Sequence, residues 1–157
     1  MVSETINVLG WREWLALPEL GIPAVKAKID TGARTSTLHA FRQETFNKNG
    51  RDYIRFWIHP LQRNRKIELG CTAPVADRRM VRDSGGHGEM RYVIVTPVRI
   101  NDRLWPIEIT LTSRDTMLFR MLLGRSALVP GNFTVNPAAS YLLGRSLRHA
   151  YKVKKIK

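Results

Sequence analysis

The sequence has little cysteine, few acidic residues and no long apolar run, and each shortage excludes a class of protein. The one cysteine, Cys71, excludes a disulfide framework and any zinc site built from several thiolates. No apolar run reaches the roughly 20 residues that a membrane-spanning helix needs. Residues 1–10 lack the basic start and apolar stretch of a secretory signal. We therefore expect a cytoplasmic protein that does not bind a membrane.

Acidic residues are half as numerous as basic residues. The chain has 13 Asp and Glu against 26 Lys and Arg, which gives a formal net charge of +13. Charges balance within residues 1–40, so the excess lies in residues 41–157. Such a field attracts an acidic polypeptide, a nucleic acid or an anionic membrane. A solvated surface that keeps the protein soluble has the same composition, so charge alone leaves these alternatives open.

Short, alternating apolar runs broken by Gly, Pro, Asn and Asp make up most of the chain. At 157 residues and 43% hydrophobic content, the chain suits one domain with a real core. The runs predict a mainly β fold, with strands at residues 5–11, 24–29, 52–59, 66–69, 92–100 and 105–111. Asn47–Gly50 and Asn101-Asp102 predict hairpin turns. Short helices are predicted at residues 124–128 and 138–143. The domain is expected to span residues 1–144, followed by a mobile basic tail at residues 145–157.

The segment Ala27-Lys28-Ile29-Asp30-Thr31-Gly32-Ala33 is the one most typical of a catalytic site. Gly32 lets the backbone turn sharply after the strand and brings amide groups close to the Asp30 carboxylate. In the aspartic peptidases, which this segment resembles, the Thr hydroxyl bonds across to a facing copy of the loop, and the resemblance implies that role for Thr31. Ala33 would line the site, and the polar Arg34 follows it. The alternative is an Asp30 that only caps a turn at the strand end.

A second motif, Met121-Leu122-Leu123-Gly124-Arg125, has the form of a core strand that ends in Gly-Arg and opens a helix. In this order, Asp-Thr-Gly-Ala and Leu-Leu-Gly-Arg resemble the retropepsin-like aspartic peptidases. About residues 5–143 resemble more closely the small bacterial proteins that carry the name ATP-dependent zinc protease. Those proteins are linked to ATP-grasp ligases of the ribosomal-protein glutamate-ligase type. The matching segments are residues 8–13, 28–36, 82–91, 123–125 and 133–137.

The resemblance implies a small closed β-barrel of the acid-protease type with one or two short helices. It implies an aspartic endopeptidase with Asp30, Thr31 and Gly32 as catalytic residues. Support for that site would come from Ala33, Arg34, Leu123, Gly124 and Arg125. A flap at residues 82–91 would cover it, with a tip formed by Ser84, Gly85, Gly86, His87 and Gly88. No metal or other cofactor is expected.

Aspartic peptidase chemistry needs two carboxylates that share one proton, and the chain has one Asp-Thr-Gly. Asp83-Ser84-Gly85 is rejected as a second copy, because residues 79–82 do not read as a buried strand and the spacing is too short for a duplicated lobe. A two-fold homodimer that brings Asp30 beside its symmetry mate is therefore predicted. The basic excess favours an acidic peptide or protein as substrate, in a pathway with an ATP-grasp ligase.

Other functions stay open. A catalytically silent module that binds an acidic polypeptide or RNA is the second candidate, and a zinc peptidase, as the family's name suggests, is the third. The histidines are dispersed and form no His-Glu-x-x-His motif, and no phosphate-binding loop with a Lys is present. His87 with Glu89 is interpreted as a surface pair rather than a metal site. Cys71 is interpreted as a small buried residue rather than a nucleophile.

Overall fold

The computed structural model describes residues 7–82, 85–113 and 118–151. Within these ranges the chain is mainly β, which confirms the predicted fold class. The strands are β1 Val8–Gly10, β2 Arg12–Leu17, β3 Ile22–Ile29, β4 Ser36–His39, β5 Arg42–Lys48, β6 Arg51–Ile58, β7 Leu69–Pro74, β8 Asp77–Arg82, β9 Gly88–Ile100, β10 Arg103–Thr112, β11 Met121–Leu123 and β12 Thr134–Asn136. The helix α1 spans Arg125–Leu128, and 3-10 turns lie at Pro18–Leu20 and Ser146–His149.

Seven strands form the main sheet in the order β10-β4-β11-β3-β2-β9-β8, and β9 also pairs with β10. The link between β2 and β9 is the single residue pair Ala16–Arg99. Since β9 also pairs with β10, the strands curl around the core, but the single β2–β9 residue pair leaves them short of the clean closed barrel that the resemblance implied. Residues 42–74 leave this sheet to form a separate three-stranded sheet, β5-β6-β7, while β1 pairs with β12.

Both predicted hairpin turns are confirmed. β5 and β6 meet at Asn49-Gly50, where both residues have positive φ (54° and 82°) as a tight hairpin turn requires. β9 and β10 meet at Asn101, whose φ is 56°. Asn and Gly tolerate this left-handed conformation at little cost, so the turn residues set the register in which each pair of strands aligns.

Other elements differ from the prediction. Residues 66–68 precede β7, so the strand predicted at 66–69 begins only at Leu69. β2, β4, β8 and β12 were not predicted. Of these, β8 has mostly exposed, basic side chains that show no apolar alternation. The predicted helix at residues 138–143 is absent, because the buried Glu13 carboxylate accepts hydrogen bonds from the amides of Leu142 (3.0 Å) and Leu143 (3.1 Å). Tyr141, with φ of 55°, further breaks any helical path.

The core is a continuous apolar cluster between the strands, and Leu15, Ile22, Leu38, Phe56 and Ile109 are all fully buried in it. The described part of the basic tail packs on this body rather than extending away from it. The Tyr151 hydroxyl donates to the carbonyl of Ala24 and accepts from the Ala24 amide. Residues 152–157 lie outside the described residues.

No helix in the described ranges is long and apolar enough to cross a membrane.

Candidate active site

Asp30 follows directly on β3, and the backbone of the sheet fixes its position. Its amide donates to the carbonyl of Leu123 (2.9 Å), which extends the parallel pairing of β3 with β11 by one residue. One carboxylate oxygen, Oδ1, accepts hydrogen bonds from the amides of Gly32 (3.0 Å) and Ala33 (3.2 Å). The other oxygen, Oδ2, makes no hydrogen bond with the described residues. One oxygen of the carboxylate is thus held by its own loop, and the other is available to a further partner.

The loop that carries Asp30 interlocks with the segment that follows β11. The amide of Arg125 donates to the carbonyl of Ala33 (2.8 Å), and the amide of Ser126 donates to that of Arg34 (3.0 Å). The amide of Gly124 donates to Oγ of the buried Ser36 (3.0 Å). These bonds bring the two sequence motifs together, about 90 residues apart in the chain.

Glycine at position 124 is required by this close approach. A Cβ added there would lie 2.7 Å from the carbonyl carbon of Thr35 and 2.8 Å from its oxygen. Both are backbone atoms of the segment that follows the Asp30 loop, so neither can rotate away. Any larger residue would have to push the two segments apart.

Arg125 clamps the tip of the loop. Its Nη1 donates to the carbonyls of Thr31 (3.0 Å) and Gly32 (3.1 Å). Thr31 and Gly32 themselves are exposed, so the tip faces outward. The side chain of Arg34 is also exposed, and this residue contributes to the interlock through its carbonyl alone.

The predicted flap residues lie at the turn of the β8–β9 hairpin. The last pair of this hairpin joins Arg82 to Gly88, and Gly85, Gly86 and His87 lie between them. Gly86 has a φ of 81°, a conformation that favours glycine. Ser84 lies outside the described residues.

A buried polar network at the base of this hairpin was missed by the sequence reasoning. Arg91 is 8% exposed, and its Nε donates to Oε2 of Glu89 (3.0 Å). Its Nη1 lies 3.4 and 3.5 Å from the hydroxyls of Thr37 and Thr110. Because Thr37 is on β4, the network ties the hairpin to the strand that leaves the Asp30 loop. The signal in the sequence was Glu-x-Arg on a strand, since residues two apart share a face.

Among the described residues no group of three or more His, Cys, Asp and Glu side chains is arranged to hold a metal. His59 is buried against the ring of Phe41, with centroids 4.1 Å apart. Cys71 is buried, and this burial raises the pKa of its thiol to about 12. It therefore stays protonated at neutral pH, a poor state for a nucleophile.

Residues 8–146 of this chain match the family "RimB-like: Retropepsin-like aspartic endopeptidase RimB". The chain belongs to the RimB-like family. The match includes both interlocked motifs and the β8–β9 hairpin.

Relatives of this RimB-like chain include proteins named "Probable alpha-L-glutamate ligase". The one from Desulfotalea psychrophila is 44% identical over 149 residues, which is 92% of this chain and 32% of the relative. Those from Shewanella pealeana and Parasynechococcus marenigrum are 43% and 46% identical, over 31% and 29% of their lengths. The chain thus spans about a third of the length of the curated relatives it matches.

A solved structure shares the fold. It is a Legionella pneumophila protein of unknown function, with a TM-score of 0.73 and 24% identity. The match covers 88% of this chain and 99% of that one. At this identity the likeness shows the fold alone.

Proposed function

We propose that this RimB-like chain is an aspartic endopeptidase whose site is completed by two copies, each contributing one Asp30. The observation that supports it is the geometry of the loop. Oδ1 of Asp30 is bound by two amides, Oδ2 has no partner among the described residues, and Thr31 and Gly32 are exposed at the tip. A facing copy of the loop would meet the free oxygen first.

The chemistry follows from two carboxylates in contact. Like charges a few ångströms apart do not both ionise, so the pair holds one proton. The ionised member removes a proton from a water molecule, which attacks the peptide carbonyl, and the protonated member donates to the carbonyl oxygen. The amides of Gly32 and Ala33 fix one oxygen of each carboxylate. Arg125 and Gly124 keep the loop rigid while the proton moves.

An acidic polypeptide is the substrate class that we propose. The net charge of +13 favours an anionic partner. The relatives named as glutamate ligases carry this domain in about a third of their length. A ligase that adds glutamate makes an acidic polypeptide, so a peptidase joined to it would meet such a chain. We propose accordingly that the protein acts in a pathway with an ATP-grasp ligase.

Replacing Asp30 by Asn tests the peptidase directly. The Asp30→Asn variant keeps an oxygen for the loop amides but cannot share the proton, so we expect cleavage of a glutamate-rich peptide to fall at least about a thousandfold. Asp102→Asn, at the exposed β9–β10 turn, is the matched control and should cleave like the wild type. Cleavage by Asp30→Asn at the wild-type rate would exclude this mechanism. Peptide binding by a wild type that cleaves nothing would favour the silent binding module.

Dilution tests the two-copy site. Activity per mole should fall as the protein is diluted through the concentration at which sedimentation shows dimers separating into monomers. Constant activity per mole in a strictly monomeric sample would exclude a shared dyad.

A further inference from the structure

Two lysines share a face of β3 with the candidate catalytic carboxylate. Successive side chains of a strand point to opposite faces, so residues 26, 28 and 30 lie on one side. Burial agrees, because Val25, Ala27 and Ile29 point into the core while Lys28 is exposed and Lys26 and Asp30 are half-buried. Residues two apart on a strand are about 7 Å apart. Lys28 is therefore the neighbour of Asp30 on this face.

The adjacent strand places another cation opposite Lys28. Arg12 on β2 pairs with Lys28 across the antiparallel ladder, and like charges directly opposite destabilise a strand pair. Arg12 is held by aromatic rings instead of a carboxylate, because its guanidinium lies 4.6 Å from the Trp11 ring centroid and 4.8 Å from that of Tyr141. Its Nε donates to the hydroxyl of Ser140 (3.2 Å).

The cations on this face differ in what they already bind. Lys26 donates to the side-chain carbonyl of Gln62 (2.8 Å) and lies over the Trp14 ring. The ammonium group of Lys28 makes no hydrogen bond or ion pair with any residue that the structure describes. None of the described salt bridges includes Arg12, Lys26 or Lys28. Two positive charges that have no ion-pair partner among the described residues thus lie on the face that carries Asp30.

We propose that Lys28, backed by Arg12, is the subsite that takes a substrate side-chain carboxylate within two residues of the scissile bond. This inference rests on the proposed peptidase function and adds which residues select the acidic side chain. An extended peptide advances about 3.4 Å per residue, so the step from Asp30 to Lys28 corresponds to two substrate residues. A carboxylate there would accept from the ammonium of Lys28 and relieve its repulsion with Arg12.

A carboxylate fits this face better than a nucleic acid. Single-stranded nucleic acids bind largely by stacking bases on open aromatic rings. Here Arg12 lies over Trp11, and the Tyr141 ring has Arg12, Lys26 and Arg145 within 4.7 to 5.8 Å. Because cations already cover these rings, the face offers charge rather than a stacking platform.

The test compares three fluorogenic peptides that differ only in whether Glu, Gln or Lys flank the same bond. The Lys28→Glu variant should lower kcat/KM for the Glu peptide at least about tenfold, the loss expected for a charge-assisted hydrogen bond. The loss for the Glu peptide should exceed any loss for the Gln peptide by at least about tenfold, and kcat/KM for the Lys peptide relative to the Gln peptide should rise. Lys48→Glu makes the same change of charge at the tip of the separate β5–β6 hairpin, and it should alter none of the three.

An equal effect of Lys28→Glu on the Glu and Gln peptides would overturn the subsite. So would competition by a single-stranded RNA that depends on Lys28 while cleavage of the Glu peptide does not. The failure of the peptidase is a separate result, recognised when the wild type cleaves none of the peptides. Binding of the Glu peptide to the Asp30→Asn protein, followed by fluorescence anisotropy, then decides. A rise in Kd of about tenfold on adding Lys28→Glu supports the subsite, and an unchanged Kd overturns it.

Discussion

At the scale of single residues, the geometry of the candidate site depends on the absence of a side chain at position 124. Gly124 has no Cβ, and that absence lets the backbone after β11 lie against the carbonyls of Ala33 and Thr35. Three hydrogen bonds follow from this approach, from the amides of Gly124, Arg125 and Ser126. The position of the Asp30 loop is therefore set by packing several residues away from the carboxylate.

Replacing Gly124 by Ala should damage stability and activity together. The added methyl group must displace backbone atoms, which costs about 1–3 kcal/mol of unfolding free energy. Displacing the Asp30 loop by even about 1 Å should lower kcat/KM at least about tenfold. Urea unfolding and peptide cleavage measure the two effects. Ser126→Ala, an exposed change two residues along, should alter neither. A Gly124→Ala protein as stable as the wild type would contradict the packing argument.

The two motifs around Asp30 and Gly124 could be recognised in the sequence because each depends on residue identity within a few positions. The roles of Glu13 and Arg91 could not be predicted, because both depend on partners far along the chain. Glu13 accepts from Gly10 (2.6 Å), which is local, but also from Leu142 and Leu143, which is not. A carboxylate in an alternating run reads as an exposed residue until its distant amide partners are known.

At the scale of elements, strands joined by a typical turn sequence were predicted. Strands that form because they pair with a neighbouring strand were not. The β5–β6 and β9–β10 hairpins follow from Asn-Gly and Asn-Asp turns. β8 is basic and mostly exposed, and it is a strand because it pairs with β9 along its whole length. The predicted helix at 138–143 failed for the same reason, since a tertiary acceptor, Glu13, satisfies its amides.

The β8–β9 hairpin is joined to β4 through the network around Arg91, and a double-mutant cycle measures that link. Arg91 is 8% exposed and Glu89 is 26% exposed at the side chain, so their ion pair is shielded from water. For Arg91→Leu and Glu89→Gln we expect a coupling free energy of about 1–3 kcal/mol. Unfolding in urea gives each corner of the cycle.

The pair Arg42–Glu44 is the control for that cycle. Its atoms are closer, at 2.6 Å, but its side chains are 61% and 46% exposed. Exposed ion pairs contribute little, so the same cycle there should give less than about 0.5 kcal/mol. Equal coupling in the two pairs would mean that burial does not strengthen the network at the base of the hairpin.

At the scale of the whole molecule, charge acts at two ranges. The net charge of +13 creates a field that attracts anions from solution, and the proposed substrate is an anion. In the proposed subsite, Lys28 and Arg12 would act at contact and select one side chain. Salt screens the field over roughly 10 Å at 0.1 M and 3 Å at 1 M. Two charged groups in direct contact are closer together than the screening length at 0.1 M, so salt weakens their attraction less.

Salt should therefore separate capture from selection. Between about 0.05 and 1 M NaCl we expect kcat/KM for a glutamate-rich peptide to fall at least about tenfold, because steering is lost. A glutamine-rich peptide of equal length should change little, which controls for effects of salt on the enzyme itself. Parallel decreases for the two peptides would show that salt acts on the protein and not on steering. The Lys28→Glu variant lowers the net charge by only two, so its salt dependence should stay close to the wild type while its preference for Glu over Gln is lost at every salt concentration.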